Sequence, residues 1–276
     1  MSIALDSYYT IGRMHWYCED YVFQGGTPFP YVIMADGCSA SPHSDIGAKL
    51  LVLNARRELT HFARGADDEA QRAQLHWPLG QRIVRRAARQ VRDLQLDSSV
   101  LDATLLVAWC DGSTVHVHLY GDGCIATRQA DGGLAVIQVE YAENAPYYLS
   151  YLLDSERHAY YQEAIGDLTV AQTVHSLDET TGISIRRGRF DAPIILSFPL
   201  ATFPTVAVAT DGLHSFVNAE ARNRVDLLEV TRAVLDFSNH EGPFVRDRLE
   251  KVLVEFSKQL IFNLDDLSLG VFVRRA

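Results

Sequence analysis

The chain has 276 residues, 47% of them hydrophobic and 22% charged, with a net charge of −10 and four cysteines. That is ample apolar material for a full core, while the acidic balance disfavours nucleic acid and anionic membrane as partners. Cys18, Cys38, Cys110 and Cys124 have no CxxC spacing, which excludes a zinc ribbon and gives no disulfide framework.

No apolar run approaches the roughly 18 residues of a membrane span. "MSIALDSYYT" lacks the basic and apolar regions of a signal peptide, so a reduced, cytoplasmic location is expected. "YYTIGRMHWYCEDYVFQ" mixes aromatic and β-branched residues and reads as one strand, turning at Gly25-Gly26. On such a strand Arg13 and His15 share a face. "PYVIMADG" is the next strand. Its almost wholly apolar run suits burial on both faces, with Asp36 at its mouth.

From Ser44, "SDIGAKLLVLNARRELTHFARG" sets Ile46, Leu50, Leu53 and Leu59 near helical spacing and predicts a stop at Gly65. A second helix is expected from about Leu79 to Leu94, after Pro78, with Ile83, Ala87, Val91 and Leu94 as its stripe. "DATLLVAWCDGSTVHVHLYGDG" gives two strands around Asp111-Gly112. There Val115, Val117 and Leu119 alternate with Thr114, His116, His118 and Tyr120. His116 and His118 have two readings: a metal pair, or polar side chains on a half-exposed face. "CIATRQADGGLAVIQVEY" continues the antiparallel pattern around Asp131-Gly132.

Residues 141–165 are rich in tyrosine and read as an insert or lid, or as a helix with an aromatic core face. Strands return at "LTVAQTVHSL", "GISIRRGRF", "PIILSF" and "TVAVATDG", the last delivering Asp211. Two helices follow, one with the stripe Leu227, Val230, Val234 and Phe237, the other with Val245, Leu249, Val252, Phe256 and Leu260. "DDLSLGVFVRR" closes as a strand. With no linker, low-complexity tract or repeat, one α+β domain over 1–276 is expected, its helices covering antiparallel sheets.

Four acidic sites stand beside apolar runs: Glu19-Asp20, Asp36, Asp211 and Asp265-Asp266. A lone charge is costly to bury in such places. Carboxylates gathered at one sheet end would repel one another, and Mg²⁺ or Mn²⁺, which favour oxygen ligands, would relieve this. Spacing alone leaves ordinary turns and strand ends as the other reading.

"GRMHWYCEDYVF", "VIMADGCSA", "DATLLVAWCDGSTVHVHLYGDG", "VAVATDGLHSF" and "DDLSLGVFV" occur in the order and rough spacing of the motifs of metal-dependent, type-2C protein phosphatases. The chain resembles that family over nearly its whole length. The resemblance implies a four-layer α-β-β-α sandwich, two antiparallel sheets flanked by helix pairs, with a two-metal site at one end. It implies a phosphatase that hydrolyses phosphoserine and phosphothreonine in phosphorylated protein substrates, using Mn²⁺ or Mg²⁺ and no protein nucleophile. Position by position it makes Asp36 the ligand bridging both cations and the Gly37 carbonyl a ligand of one. Glu19, Asp211 and Asp265 are further ligands, with Asp20 supporting from behind, and Asp122 matches the Asp of a third, weaker site. Residues about 141–165 fall where the family has a variable flap.

The chain departs from the pattern as well. His15 stands where the family has a phosphate-gripping Arg, leaving His15 and Arg13 as candidate phosphate contacts, and His titrates near neutrality where Arg does not. Asp266 stands where Asn is usual, Cys38 where some members carry His, and Ser39 and Ala40 where glycines are usual. A catalytically weak module that binds a phosphoprotein or partner protein therefore remains an alternative to an active enzyme.

Overall fold

The computed structural model describes residues 2–62 and 69–275. A seven-stranded antiparallel sheet runs, edge to edge, Ile3–Thr10 (β1), Leu267–Arg274 (β15), Thr205–Ala209 (β11), Gly123–Arg128 (β6), Leu134–Tyr141 (β7), Gln172–Asp178 (β8) and Gly182–Gly188 (β9). A five-stranded antiparallel sheet runs Ile194–Pro199 (β10), Thr114–Tyr120 (β5), Leu105–Cys110 (β4), Tyr31–Ala35 (β3) and Tyr21–Gly25 (β2). Helices Ser44–Phe62 (α1) and Glu69–Asp93 (α2) cover the smaller sheet; Leu227–Val234 (α4) and Phe244–Lys258 (α5) cover the larger. Ser155–Ile165 is α3, and Phe216–Asn218 (β12), Asn223–Arg224 (β13) and Ile261–Asn263 (β14) form a small third sheet. The result is the expected α-β-β-α sandwich.

Side-chain alternation explains the layering. In β3 every residue is buried, because Tyr31, Ile33 and Ala35 pack on α1 and α2 while Val32 and Met34 enter the space between the sheets. Ala207 and Ala209 likewise face α4 and α5, and Val206 and Val208 face the other sheet. A strand buried on both faces reads as a continuous apolar run, which is why β3, β4 and β11 are so plain in the sequence.

Four expectations are corrected. The stretch through residues 8–24 is two strands, not one. Residues 11–20 between them are irregular, so the argument that Arg13 and His15 share a strand face does not apply. Helix α2 starts before Pro78 rather than after it. A proline removes one helical N–H, but His76 stacks on Tyr120 and His118 on one side, while Leu79 and Ile83 are buried on the other. Leu53 and Leu94 are exposed instead of completing their stripes. Finally, His116 and His118 are buried against the helix layer rather than half exposed. His116 contacts Asp111 and Ser197, at 2.9 and 3.0 Å, and His118 contacts His76 at 3.0 Å. The stop expected at Gly65 lies outside the described residues. No helix among the described residues is long and apolar enough to cross a membrane.

Candidate functional site

Register brings the acidic positions to one end of the sandwich. Asp36 follows β3, Asp211 follows β11, Asp122 sits in the β5–β6 turn, and Asp265 precedes β15. Ala209 pairs with both Leu269 and Cys124, so the last three arrive together. Asp36, Gly37, Thr104, Asp122, Asp211 and Asp265 line one cavity of about 280 Å³, with Cys38, Ser39, Asn144, Pro146 and Tyr148 on its walls.

The local chain conformation is specific. The Asp36 N–H donates to the Thr104 hydroxyl oxygen at 3.2 Å, and the Asp36 carbonyl accepts from the Thr104 N–H at 2.9 Å. Asp122 is carried by a turn in which Gly121 and Gly123 have φ of 91° and 147°, values open to glycine and strained for other residues. Gly212 is needed for room: a Cβ there would fall 1.8 Å from the Asp266 carbonyl oxygen.

Electrostatics show how close these groups are. Burial, then the charges of Asp20, Asp211, Asp265 and Asp122, hold the Asp36 carboxyl well above its usual range. Burial and Asp211, with Asp265 and Glu140, do the same to Asp122. Asp211 is pushed up to about 6 by burial and Asp265, against the pull of a hydrogen bond with Asp36. Asp265 is raised by burial, with Asp266 and Glu19 adding and His15 opposing.

The remaining candidates lie behind this set. Asp20 is buried and accepts from the Thr210 hydroxyl at 2.8 Å; burial, with Asp266 and Asp211, raises it to about 8. The Glu19 carboxylate does not line the cavity and accepts from the hydroxyls of Ser39, at 2.5 Å, and Ser44. His15 and Arg13 do not line the cavity either. His15 points into the acidic cluster, 3.1 Å from Asp266, 3.4 Å from Asp265 and 3.8 Å from Glu19. Its burial disfavours the charged form, but Asp266, Asp265 and Glu19 outweigh this and raise its pKa. Arg13 stacks on the Phe262 ring at 4.0 Å.

No group of three or more His, Cys, Asp or Glu among the described residues forms a ready-made metal cage. The donors nevertheless suit a hard divalent cation. They are carboxylates and a carbonyl, they mutually raise one another's pKa values, and Oδ1 of Asp211 is buried without a hydrogen-bond partner. A buried polar atom left unpaired is costly, and a cation would satisfy it.

Sequence reasoning missed Thr104, Asn144, Pro146 and Tyr148. The last three come from residues 142–153, two short 3₁₀ turns before α3. This segment is held by an aromatic cluster of Tyr147, Tyr161 and Phe190, and by Asp102, which accepts from Ser150 at 2.5 Å and Arg157 at 2.7 Å. Asp102 also accepts from Ser41 at 3.0 Å, tying the segment to the loop after Asp36. Only its tyrosine richness was a signal. The role of Asp266 was missed as well: it takes the backbone N–H groups of Gly12 and Glu19, both at 2.6 Å.

A family model described as protein phosphatase 2C matches residues 13–254. A search of the curated proteins gives no match. Among solved structures, the chain is similar to the S. agalactiae serine/threonine phosphatase, with TM-score 0.59 and 12% identity over 99% of this chain and 100% of that one. It is similar to serine/threonine phosphatase Stp1 from Staphylococcus aureus, with TM-score 0.57 and 11% identity over 100% and 96%. It is also similar to PppA, described as a key regulatory component of T6SS in Pseudomonas aeruginosa, with TM-score 0.54 and 15% identity over 99% and 98%. At such identities these structures speak for the fold.

Proposed function

The chain belongs to the protein phosphatase 2C family, and from that premise we propose that it hydrolyses phosphoserine and phosphothreonine in proteins, with Mn²⁺ or Mg²⁺ held in the Asp36 cavity. The observation that carries this reading is the convergence of Asp36, Gly37, Asp122, Asp211 and Asp265 on one cavity. Asp36 and the Gly37 carbonyl, with Asp211 and Asp265, would hold two cations, and Asp122 a third, weaker one. Glu19 is assigned to the same set from its sequence match, acting through its hydroxyl partners, and Asp20 supports it from behind through Thr210. Bound there, the cations supply Lewis acidity to the phosphoryl group and lower the pKa of the attacking water.

The chain's own residues do the rest. Thr104 fixes the backbone of Asp36 through the 3.2 and 2.9 Å bonds. Asn144 and Tyr148 line the cavity as neutral donors for phosphate oxygens, while the Ser39 hydroxyl is committed to Glu19. When protonated, His15 places positive charge beside Asp265, Asp266 and Glu19, which tempers the repulsion within the acidic set.

One observation favours a second reading, a catalytically weak module that binds a phosphoprotein or partner protein. Among the described residues no Lys or Arg lines the cavity, and His15, in the place of the family's phosphate-gripping Arg, faces carboxylates. The two readings separate in one assay: hydrolysis of an aryl phosphate and a phosphothreonine peptide with Mn²⁺, with Mg²⁺ and with chelator. Cation-dependent turnover that disappears in Asp36→Asn supports the enzyme. Turnover that survives exhaustive chelation refutes the two-cation mechanism, and peptide binding without turnover supports the second reading.

A further inference from the structure

The loop between β1 and β2 combines a fixed base with a bare tip. At the base, Gly12 and Glu19 donate their N–H groups to Asp266 at 2.6 Å. Arg13 and Met14 donate theirs to the carbonyls of Asn263 and Leu264 at 3.0 and 3.1 Å. The Asn263 amide donates to the Ile11 carbonyl at 3.2 Å, and His15 reaches three carboxylates. At the tip, Ile11, Met14, Trp16 and Tyr17 are 44%, 71%, 99% and 52% exposed.

Scattered apolar residues on a surface need no explanation, whereas a contiguous apolar group marks an interaction site. Four apolar side chains are exposed within residues 11–17 of this one loop, one of them an indole that is 99% exposed, which is a local concentration rather than a scatter. Rigid presentation adds to the argument. Aromatic side chains on a pre-ordered backbone bind a partner without the cost of ordering the loop, and Trp and Tyr are enriched among the residues that dominate interface affinity.

We propose that this tip docks the phosphoprotein substrate, gripping an aliphatic or aromatic side chain near its phosphoserine or phosphothreonine; this rests on the phosphatase reading above. Continuity with the cavity identifies the occupant. Gly12, in the same loop, packs so closely on the backbone of Asp265 that a Cβ would fall 2.2 Å from its carbonyl carbon, and Asp265 lines the cavity, so the loop adjoins the cavity wall and a protein with its phosphate in the cavity is the occupant within reach of it. An anionic membrane surface fits poorly, since attraction to it takes a cluster of Lys and Arg and Arg13 is the one such residue in 11–20 of a chain with net charge −10.

The test compares wild type with Trp16→Ser combined with Met14→Ser, and with Trp16→Ser alone should the double variant melt lower. One Leu or Phe is walked along an otherwise polar phosphothreonine peptide, with Mn²⁺ and an aryl phosphate control. Wild type is expected to prefer peptides with the apolar residue at particular positions by roughly tenfold in kcat/KM, the scale of losing one interface anchor. The variant loses that preference while its aryl phosphate turnover is unchanged. The proposal is overturned if wild type turns over aryl phosphate yet prefers no peptide, or if the variant keeps the preference. Loss in the variant of binding to vesicles of phosphatidylcholine and phosphatidylglycerol would assign the tip to a membrane. Loss of a wild-type dimer in sedimentation would assign it to a second copy. Wild type that leaves aryl phosphate intact refutes the phosphatase reading itself.

Discussion

Neutralising Asp211 should stabilise the cation-free chain, even though it removes a group that the proposed function uses. The carboxyl is pushed from 3.8 to about 6 by burial and by Asp265. At 1.36 kcal/mol per pH unit, ionising it in the folded chain costs about 3 kcal/mol. Water at the cavity mouth screens part of this, so the figure is a ceiling. The sign follows from proton linkage. Between 3.8 and 6 the folded chain holds a proton that the unfolded chain has lost, so stability falls as pH rises through that window and stays low above it. In Asp211→Asn the amide oxygen can still accept from the Asp36 carboxyl, and this part of the slope disappears. An unfolding entropy of about 2.1 cal/mol/K per residue, over 276 residues, gives about 0.6 kcal/mol/K and hence a rise in Tm of up to about 5 °C near pH 7.5 in EDTA. The difference should vanish near pH 4, and with Mn²⁺ the wild type should gain the more. Scanning calorimetry at several pH values, with EDTA and with Mn²⁺, measures both effects. Melting curves of wild type and variant that coincide at every pH in EDTA would refute the account of the cluster as mutually repelling.

Asp122→Ala should slow hydrolysis while leaving the two tighter cation sites filled; calorimetric titration with Mn²⁺ that loses one weak site, alongside a reduced rate, is the expected pair of results. The raised pKa of His15 means its charge stabilises the fold below the ordinary histidine value and ceases to do so as pH rises through the raised one. His15→Gln should therefore lower Tm in EDTA at acidic pH, with the difference closing at alkaline pH. In Gly212→Ala a Cβ would lie 1.8 Å from the Asp266 carbonyl oxygen, and both are backbone-bound, so the strand ends must separate. A loss of about 1–3 kcal/mol is expected, read as a lower Tm, together with weaker Mn²⁺ binding in titration.

The layers were legible in the sequence wherever burial dictated composition. The apolar runs of β3 and β11, ending in Asp36 and Asp211, signalled strands buried on both faces, and the stripes of α4 and α5 were plain as far as Val234 and Phe256, whereas Phe237 and Leu260 fall beyond the helix ends and Leu260 is exposed. Residues 11–20 misled because aromatic residues favour strands only where a neighbouring strand can pair with them. Here the backbone of Gly12 and Glu19 is taken by Asp266 instead, a contact across more than 240 positions that no local pattern encodes. Pro78 misled for a similar reason, since the packing of His76, Leu79 and Ile83 around it outweighs one lost N–H. At the site, the acidic positions could be named from the sequence. Their distribution between cavity wall and support could not, because Glu19 is drawn aside by Ser39 and Ser44, hydroxyls beyond the next two strands. Asn144 and the placement of Tyr148 on the cavity wall gave no periodic signal, since irregular turns have no period; only the tyrosine richness of the segment stood out.

Asp36 is delivered by the five-stranded sheet and Asp211 by the seven-stranded one, so the cavity straddles the seam between them. At that seam Gly270 of β15 meets Val32 of β3 so closely that a Cβ on the glycine would lie 2.4 Å from a valine methyl. The spacing of the two sheets, and with it the span any bound ion must bridge, is thus set in part by a missing methyl in the interior. Under the two-cation proposal, cation affinity would drift through changes at positions 32 and 270 with every carboxylate intact, and an ion held across the seam would act in turn as a clasp between the two halves.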